Sequence, residues 1–279
     1  MQEITAAFRQ LAIIGDPVEH SFSPQLHNYL AEKMQLPYVY TAWQVTPEHL
    51  ENAIRGVRAL GIAGINVTAP HKFKVIQYLD EIDPRAEMLG SVNTVVNRGG
   101  RLIGYNTDAD GFYMSLKKVG TEVFGKDILI FGAGGATQPI AVLFALEHAK
   151  SITILNRTKT RAEQLASYVR KTTGFQVQTE RTLPRYDLVI NTTAAGMHPQ
   201  ENAAPTEDYS MLDKNTTAAD LIYNPEKTVF LQHAEAAGAA IVNGLGMLIF
   251  QGLLAFEHFT GKKLYENAYE DVKKEVFGK

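Results

Sequence analysis

Short apolar runs alternate with helix-like segments along most of this 279-residue chain. In the first part of the chain, the runs that predict strands or extended chain are 11–15, 37–45, 62–67, 92–97 and 102–105. The helices predicted between them begin at Ser23, Pro47 and Pro70, each with a proline in its first turn. Ser23 is the predicted N-cap of the first helix. This mixture predicts an α/β domain over residues 1–107.

The alternation becomes more regular in the second part of the chain. The runs that predict strands there are 127–131, 151–155, 187–191, 218–222 and 240–242, with a short one at Val177. Helical segments between them indicate βαβ units and a parallel sheet. Residues 245–277 are predicted to be helical and to pack back on the first domain. We therefore predict an α/β fold with a second domain over 108–244, and with 245–279 returning to the first.

Composition excludes several classes of function. Apolar residues make up 45% of the chain and charged residues 20%, as in an ordinary globular protein. A formal net charge of −3 leaves no basic surplus for nucleic-acid phosphates. The absence of cysteine excludes disulfides and thiolate nucleophiles, and we predict no metal site. No apolar run is long enough to cross a membrane, and the N-terminus lacks a signal-peptide pattern, so a cytoplasmic location is expected.

Polar residues follow the apolar run at 62–67. Asn66, Thr68 and Lys72 stand where a strand ends, which is the usual edge of a ligand site in α/β proteins. A helix beginning at Pro70 would place Lys72 in its first turn, where the positive end of the helix dipole disfavours an ammonium group. Such a position suits a proton donor better than a solvated lysine. Lys72 is therefore a candidate catalytic acid.

A glycine-rich segment lies between a predicted strand and a predicted helix. Its residues are Gly132, Ala133, Gly134, Gly135 and Ala136. Thr137 follows where the usual dinucleotide fingerprint has a third glycine. Glycines in this context let backbone amides approach a pyrophosphate at a helix N-terminus. A turn without a ligand is the alternative, but the flanking elements favour a nucleotide site.

The strand after the glycine-rich segment ends without an acidic residue. It is followed by Asn156, Arg157, Thr158 and, three positions later, Arg161. An NAD-binding unit carries Asp or Glu here to bind the ribose hydroxyls. Arg157, Thr158 and Arg161 are suited instead to a 2′-phosphate, through charge-assisted hydrogen bonds. A solvated basic turn is the alternative, but this position selects the cofactor, and we predict NADP.

Two predicted helix starts supply further candidates. Ser21 and Ser23 precede a run of free helix amides, and together these groups suit a substrate carboxylate. A simple capping role for Ser23 is the alternative. Thr107 begins a capping-box pattern that places Asp108 in the first turn of the next helix. The dipole there favours an ionised Asp108, a suitable partner for Lys72, although acidic residues are also common at helix starts without any function.

Taken together, these segments resemble the shikimate dehydrogenase family over essentially the whole chain. The matching segments are 20–24, 66–72, 92–94, 106–108, 132–137, 156–158 and 243–247. The resemblance implies an N-terminal α/β substrate domain, a Rossmann-type NADP-binding domain and C-terminal helices packing back on the first. It also implies NADPH-dependent, reversible reduction of 3-dehydroshikimate to shikimate, in aromatic amino acid biosynthesis.

The resemblance also implies roles for single residues. Lys72 and Asp108 would form the catalytic pair, and Ser21 and Ser23 would hold the substrate carboxylate. The residues implied to bind ring hydroxyls or line the substrate site are Asn66, Thr68, Asn93, Asp108, Tyr223 and Gln251. The residues implied to border the nicotinamide are Gly244 and Met247.

Two departures from the family pattern and two alternatives remain. Tyr105 stands where a polar residue often precedes Asn-Thr-Asp, and Ala194 and Ala195 replace a more usual serine pair. An NAD-linked quinate/shikimate dehydrogenase is one alternative, and the basic turn at Arg157 argues against it. A non-catalytic NADP-sensing domain is the other, but it has no need for Lys72 beside a carboxylate site. The predicted partner is a small-molecule substrate, and the oligomeric state is open, with a homodimer as one candidate.

Overall fold

Two six-stranded sheets organise residues 4–279, the part of the chain that the computed structural model describes. Each sheet belongs to its own compact unit. The first unit ends at Thr107 and resumes over Ile249–Lys279, and the second is Asp108–Leu248. The α/β fold predicted from the alternating pattern is confirmed.

The first unit mixes strands with short helices. Its strands are β1 (Arg9–Gly15), β2 (Tyr38–Gln44), β3 (Gly64–Val67), β4 (Glu81–Ile82), β5 (Thr94–Arg98) and β6 (Arg101–Tyr105). Its α-helices up to Thr107 are α1 (Ser23–Lys33), α2 (Leu50–Ala59) and α3 (Pro84–Leu89), with 3-10 turns at Pro47–His49 and Lys74–Tyr78. The spatial order is β2-β1-β3-β5-β6-β4, so β1 and β3 lie inside the sheet. β1 runs parallel to β2 and β3, whereas β5 runs antiparallel to β3 and β6.

The prediction of a helix that begins at Pro70 is wrong. Ala69–Pro70 is a cis peptide within a turn, in which the His71 amide donates to the Thr68 carbonyl. The first helical element after Pro70 is the 3-10 turn Lys74–Tyr78, so Lys72 precedes it. β4 then pairs with β6, and only α3 is α-helical. The apolar residues of this segment belong to several short elements rather than to one helix.

The start of α1 also differs from its prediction. Phe22 occupies the N-cap position and makes no side-chain cap hydrogen bond with any described residue, while Ser23 and Pro24 form the first turn. The Ser23 amide donates to the Ser21 hydroxyl at 3.3 Å. Ser23 is therefore not the N-cap, because the helix already includes it.

The second unit alternates strands and helices. Its strands are β7 (Asp127–Phe131), β8 (Ser151–Leu155), β9 (Val177–Gln178), β10 (Leu188–Asn191), β11 (Thr217–Asp220) and β12 (Ala240–Val242). Its helices are α4 (Asp108–Lys118), α5 (Thr137–Leu146), α6 (Lys159–Thr173) and α7 (Val229–Ala236). The sheet is parallel throughout, in the order β12-β11-β10-β7-β8-β9. The chain leaves β7 toward β8 and later returns to β10 on the other side, which makes the end of β7 the switch point where α/β sheets bind ligands.

The C-terminal segment forms two helices. These are α8 (Leu245–Thr260) and α9 (Ala268–Phe277), with Gly261 in a left-handed conformation after the first. The part of α8 within the first unit packs closely on β3, where a Cβ at Gly64 would collide with the Phe259 ring. Across residues 4–279, no helix is both long and apolar enough to span a bilayer.

Candidate functional site

Lys72 lies in a turn whose backbone is held from both sides. Its carbonyl accepts a hydrogen bond of 2.9 Å from the Val92 amide. The neighbouring His71 is fully buried, and its Nε2 lies 2.6 Å from the Val45 carbonyl oxygen. The His71 carbonyl in turn accepts from the Val75 amide. These contacts fix the Lys72 backbone, so the tertiary structure positions this lysine without a helix.

Asn66 and Asn93 belong to one buried hydrogen-bond network. The Asn66 side-chain amide donates to Thr94 Oγ1 at 3.0 Å and to the Asn93 carbonyl at 3.1 Å. Asn93 Oδ1 accepts from the Thr107 amide at 2.8 Å and from the Thr94 hydroxyl at 3.0 Å. Tyr40 completes the network by donating to Asn66 Oδ1 at 2.7 Å. The structure thus brings together two residues that the sequence predicted to bind substrate hydroxyls.

The remaining substrate candidates of the first unit lie at strand and helix ends. Thr68 follows β3, and its amide donates to the Ile14 carbonyl at 2.9 Å. Ser21 is half-buried and Ser23 is buried, at the start of α1. Gln251 is half-buried in α8.

Asp108 is the first residue of α4 and is buried. The preceding residue, Thr107, is tied to Asn93 through both its amide and its hydroxyl. A carboxylate in a first helical turn is stabilised by the positive end of the helix dipole. The predicted location of Asp108 in that turn is therefore what the structure has.

Tyr223, Gly244 and Met247 lie in the second unit. Tyr223 is half-buried after β11, and burial raises the pKa of its phenol. A Cβ at Gly244 would collide with the Leu221 carbonyl, which explains why glycine stands there. Met247 is half-buried in the first turns of α8.

The glycine-rich segment forms the turn from β7 to α5, at the switch point of the sheet. Gly132 has a φ of +113°, and a Cβ there would collide with the Thr192 hydroxyl. Gly134 is exposed, and a Cβ on it would meet no described atom within 4 Å. The other residues of the segment are half-buried, namely Ala133, Gly135 and Ala136. The backbone is thus tightly packed on the protein side and open on the side where a phosphate would bind.

The basic turn after β8 is exposed. Asn156 Nδ2 donates to the Thr158 carbonyl at 2.9 Å, which shapes the turn. Thr158 is the N-cap residue of α6, but its hydroxyl makes no cap hydrogen bond with any described residue. Arg157 and Arg161 are both exposed. This arrangement suits a phosphate group, because cations and an uncommitted hydroxyl surround a helix N-terminus.

A cavity of about 630 Å³ joins the glycine loop to the basic turn. Gly132, Asn156 and Arg157 line it, and so does Lys159, whose ammonium lies 2.5 Å from Glu180. No acidic side chain is among its lining residues within the described chain. The volume, the open glycine backbone and the positive charge fit a dinucleotide carrying a 2′-phosphate.

Four uncharged polar residues of this cavity escaped the predictions: Thr179, Thr193, Gln200 and Thr206. Thr193 is the second residue after β10, and the polar sequence Asn191-Thr192-Thr193 after an apolar run was a usable signal for it. The others come from irregular segments that carry no periodicity. Ala194 and Ala195, which replace the family's serine pair, also line the cavity.

Tyr105 is the other residue that departs from the family pattern, and it contacts His258. Its ring stacks on the His258 ring with centroids 4.1 Å apart. Burial lowers the pKa of His258, which favours the neutral ring in this stack.

The predicted residues therefore fall into two described sets. The first unit holds Lys72 and the network around Asn66 and Asn93, and the second holds the nucleotide cavity. Among residues 4–279, no three His, Asp or Glu side chains are grouped to bind a metal.

Three family models match consecutive parts of the chain. A shikimate dehydrogenase substrate binding domain matches residues 13–95, and a shikimate / quinate 5-dehydrogenase model matches residues 115–221. A shikimate 5′-dehydrogenase C-terminal domain matches residues 244–264. The order of the three matches is the order of the predicted domains.

Individual proteins are similar over almost the whole chain. The shikimate dehydrogenase (NADP⁺) of Caldanaerobacter subterraneus subsp. tengcongensis is 41% identical, over 98% of this chain and 100% of its own. A shikimate dehydrogenase crystallised with NADP⁺ is 40% identical, with a TM-score of 0.92 over 99% of this chain and 97% of its own. The Listeria monocytogenes shikimate 5-dehydrogenase, in complex with shikimate and NAD, is 34% identical, with a TM-score of 0.90 over 98% of each chain.

Proposed function

Because the chain belongs to the shikimate dehydrogenase family, we propose that it catalyses the NADPH-dependent, reversible reduction of 3-dehydroshikimate to shikimate. NADP is the cofactor, and the reaction belongs to the biosynthesis of aromatic amino acids. The observation that carries the cofactor assignment is the cavity in which Arg157 follows β8 and which no acidic side chain of residues 4–279 lines. A 2′-phosphate would be repelled by the acid that an NAD-specific unit places there.

The carboxylate of the substrate is held by groups of the first unit. Ser21 and Ser23 bind its carboxylate, assisted by the amides at the start of α1. The residues that bind ring hydroxyls or line the substrate site are Asn66, Thr68, Asn93, Asp108, Tyr223 and Gln251. The network through Thr94 and Thr107 supports this role for Asn66 and Asn93, because it holds both amides in one orientation.

Lys72 supplies the proton. The bound cofactor, when reduced, supplies the hydride that the carbonyl carbon accepts. The Lys72 ammonium donates its proton to the carbonyl oxygen, so that the ketone becomes a secondary alcohol. Asp108, at the start of α4, is the partner carboxylate. In the reverse direction the neutral Lys72 amine accepts the proton of the alcohol.

The cofactor is held by the second unit. The glycine loop binds the pyrophosphate through its backbone amides, since Gly134 leaves the approach open. The residues of the loop are Gly132, Ala133, Gly134, Gly135 and Ala136. Asn156, Arg157, Thr158 and Arg161 bind the adenosine ribose and its 2′-phosphate. Gly244 and Met247 border the nicotinamide.

The domain boundaries, the location in the cell and the assembly of the protein are also proposed. Residues 1–107 with 245–279 form the substrate domain, and 108–244 form the NADP domain. The protein works in the cytoplasm, and its proposed assembly is a homodimer. Analytical ultracentrifugation tests the assembly, because a monomer and a dimer sediment differently at micromolar concentration.

A paired assay tests the function. The purified protein is given shikimate or quinate, each with NADP or NAD, and the reduced nicotinamide is followed by its absorbance. We expect turnover with shikimate and NADP, and much weaker turnover with quinate or with NAD. Equal or faster turnover of quinate with NAD would support the catabolic alternative instead. NADPH binding without any oxidation by 3-dehydroshikimate would support a non-catalytic NADP sensor.

A further inference from the structure

Tyr40 reaches Asn66 from two strands away. Tyr40 lies in the edge strand β2, and its register partner Leu11 in β1 pairs with Gly64 in β3. Asn66 is two residues beyond Gly64, so its side chain points to the same face of the sheet. The Tyr40 hydroxyl crosses β1 on that face and donates to Asn66 Oδ1 at 2.7 Å. This contact is buried, and Tyr40 itself is only 2% exposed.

The hydrogen-bonding groups of Asn66 are almost fully used within the protein. Its two N–H donors are directed to the Asn93 carbonyl and to Thr94 Oγ1, at 3.1 and 3.0 Å. Its oxygen accepts one hydrogen bond, from Tyr40. An amide oxygen has two acceptor sites. Both ring nitrogens of the neighbouring His27 are without a hydrogen-bond partner within the described chain, so Asn66 has one acceptor site left to offer a ligand and no donor.

Tyr40 is itself held in place as a donor. Its ring stacks on His27 with centroids 4.3 Å apart and an interplanar angle of 6°. His27 also contacts Phe256 and Phe259 of α8, at 5.9 and 5.8 Å between centroids. Burial raises the pKa of the Tyr40 phenol well above its usual value, while Ser23 opposes the shift. The phenol therefore keeps its proton and donates it toward Asn66.

We propose that Tyr40 is a positioning residue that makes Asn66 present its oxygen, as a hydrogen-bond acceptor, to a ring hydroxyl of the substrate. A flipped Asn66 amide would turn its oxygen toward the Asn93 carbonyl, which accepts only, and would leave the buried Tyr40 hydroxyl without the acceptor that it has now. The Asn93 carbonyl and the Tyr40 hydroxyl therefore select one of the two amide orientations together. The hydroxyl of a substrate that binds to the Asn66 oxygen must therefore donate a hydrogen bond to it. This inference rests on the proposed function.

Tyr40→Phe removes the selecting hydroxyl while it keeps the ring and its stack on His27. We expect the KM for shikimate to rise about five- to tenfold, in proportion to one neutral hydrogen bond, with kcat and the KM for NADP changed less than twofold. The matched control is Tyr38→Phe in the same strand, which loses a hydroxyl contact with Arg9 instead. That control should keep the wild-type KM for shikimate.

A double-mutant cycle with Asn66→Ala separates positioning from simple loss of packing. If Tyr40 acts through Asn66, then Tyr40→Phe costs no further increase in the KM for shikimate once Asn66 is alanine. Urea unfolding followed by the fluorescence of Trp43, the single tryptophan, verifies that each variant is folded under the assay conditions.

The outcomes separate the inference from the proposed function. A folded Tyr40→Phe enzyme with the wild-type KM for shikimate overturns the role of Tyr40, as does an equal KM increase in the presence and absence of Asn66. A wild-type protein that does not oxidise shikimate overturns the proposed function and this inference with it.

Discussion

The hydroxyl groups of Thr137 and Thr192 lie 2.7 Å apart and join the glycine loop to the end of β10. The Gly134 amide donates to Thr137 Oγ1 at 3.0 Å, and the Thr192 hydroxyl donates to the Phe131 carbonyl at 2.7 Å. These contacts orient the whole chain of hydroxyls, so Thr137 donates to Thr192. The residue that replaces the third glycine of the fingerprint thus anchors the loop that it follows.

Thr137→Val should weaken NADP binding. The isosteric side chain leaves the Gly134 amide without its acceptor, and an unsatisfied group of this kind costs about 1–3 kcal/mol. We expect the KM for NADP to rise about tenfold while the KM for shikimate stays unchanged. Thr217→Val is the matched control, because it breaks another hydroxyl pair of the same unit, with Thr121. Equal KM values for NADP in the two variants would contradict the anchoring role.

Arg157→Ala should change cofactor selectivity rather than activity in general. Loss of one charge-assisted hydrogen bond to a 2′-phosphate costs roughly 1.5–3 kcal/mol, which corresponds to about a 10- to 100-fold higher KM for NADP. The KM for NAD should stay within about twofold. Arg185→Ala serves as the control, since Arg185 is exposed and paired with Asp213. A similar loss with both cofactors would argue against a phosphate contact.

Lys72→Ala should remove the proton donor and leave the cofactor site intact. A positioned acid contributes typically about 10²–10⁴-fold to the rate, and kcat should fall by that factor. NADPH affinity, measured by fluorescence titration, should be unchanged. The exposed Lys74 provides the comparison, because Lys74→Ala removes a cation two residues away. Wild-type turnover in Lys72→Ala would disprove its assignment as the acid.

His27 should make the first unit sensitive to acid. Burial lowers the pKa of His27 to about 3 from its ordinary 6.5, while the Asn66 side chain opposes the shift. Between these pKa values the unfolded chain binds a proton that the folded chain does not, so the free energy of unfolding falls as the pH drops below 6.5. At pH 5 this loss is about 2 kcal/mol relative to pH 7.

The variant His27→Phe keeps an aromatic ring in the stack and removes the titration. Urea unfolding at pH 7 and pH 5, followed by Trp43 fluorescence, should show a smaller loss on acidification in this variant than in the wild type. The exposed His49, changed to Phe, should keep the wild-type loss. An identical pH dependence in wild type and His27→Phe would show that His27 is not protonated on unfolding.

Periodicity predicted the parallel sheet of the second unit closely. The predicted runs 127–131, 151–155 and 240–242 coincide with β7, β8 and β12. β7 and β8 lie inside a parallel sheet, so both of their faces are covered and the sequence is apolar at nearly every position. Turn residues stand at both ends of each apolar run, so the ends of these strands can be predicted from the sequence.

Prediction from the apolar pattern fails in the segment from Pro70 to Leu89. β4 exists because it pairs with β6, about twenty positions further along the chain. Asp80 accepts hydrogen bonds from Arg58 and from the Leu102 amide, which also lie far away in sequence. A local apolar pattern contains no information on these partners, so it cannot distinguish a helix from several short elements.

By itself, the sequence determined which chemical groups this protein has and in what order they occur. It supplied a lysine and two asparagines at strand ends, a glycine loop at a strand-to-helix junction, and a basic turn that lacks an acid. Only the tertiary structure decided how those groups are oriented. Tyr40 donates to the oxygen of the Asn66 amide, and Thr192 holds Thr137, each from a distant strand or loop. The physical reason is that a hydrogen bond depends on where two atoms meet in space, and partners separated by 26 or 55 residues leave no local pattern in the sequence.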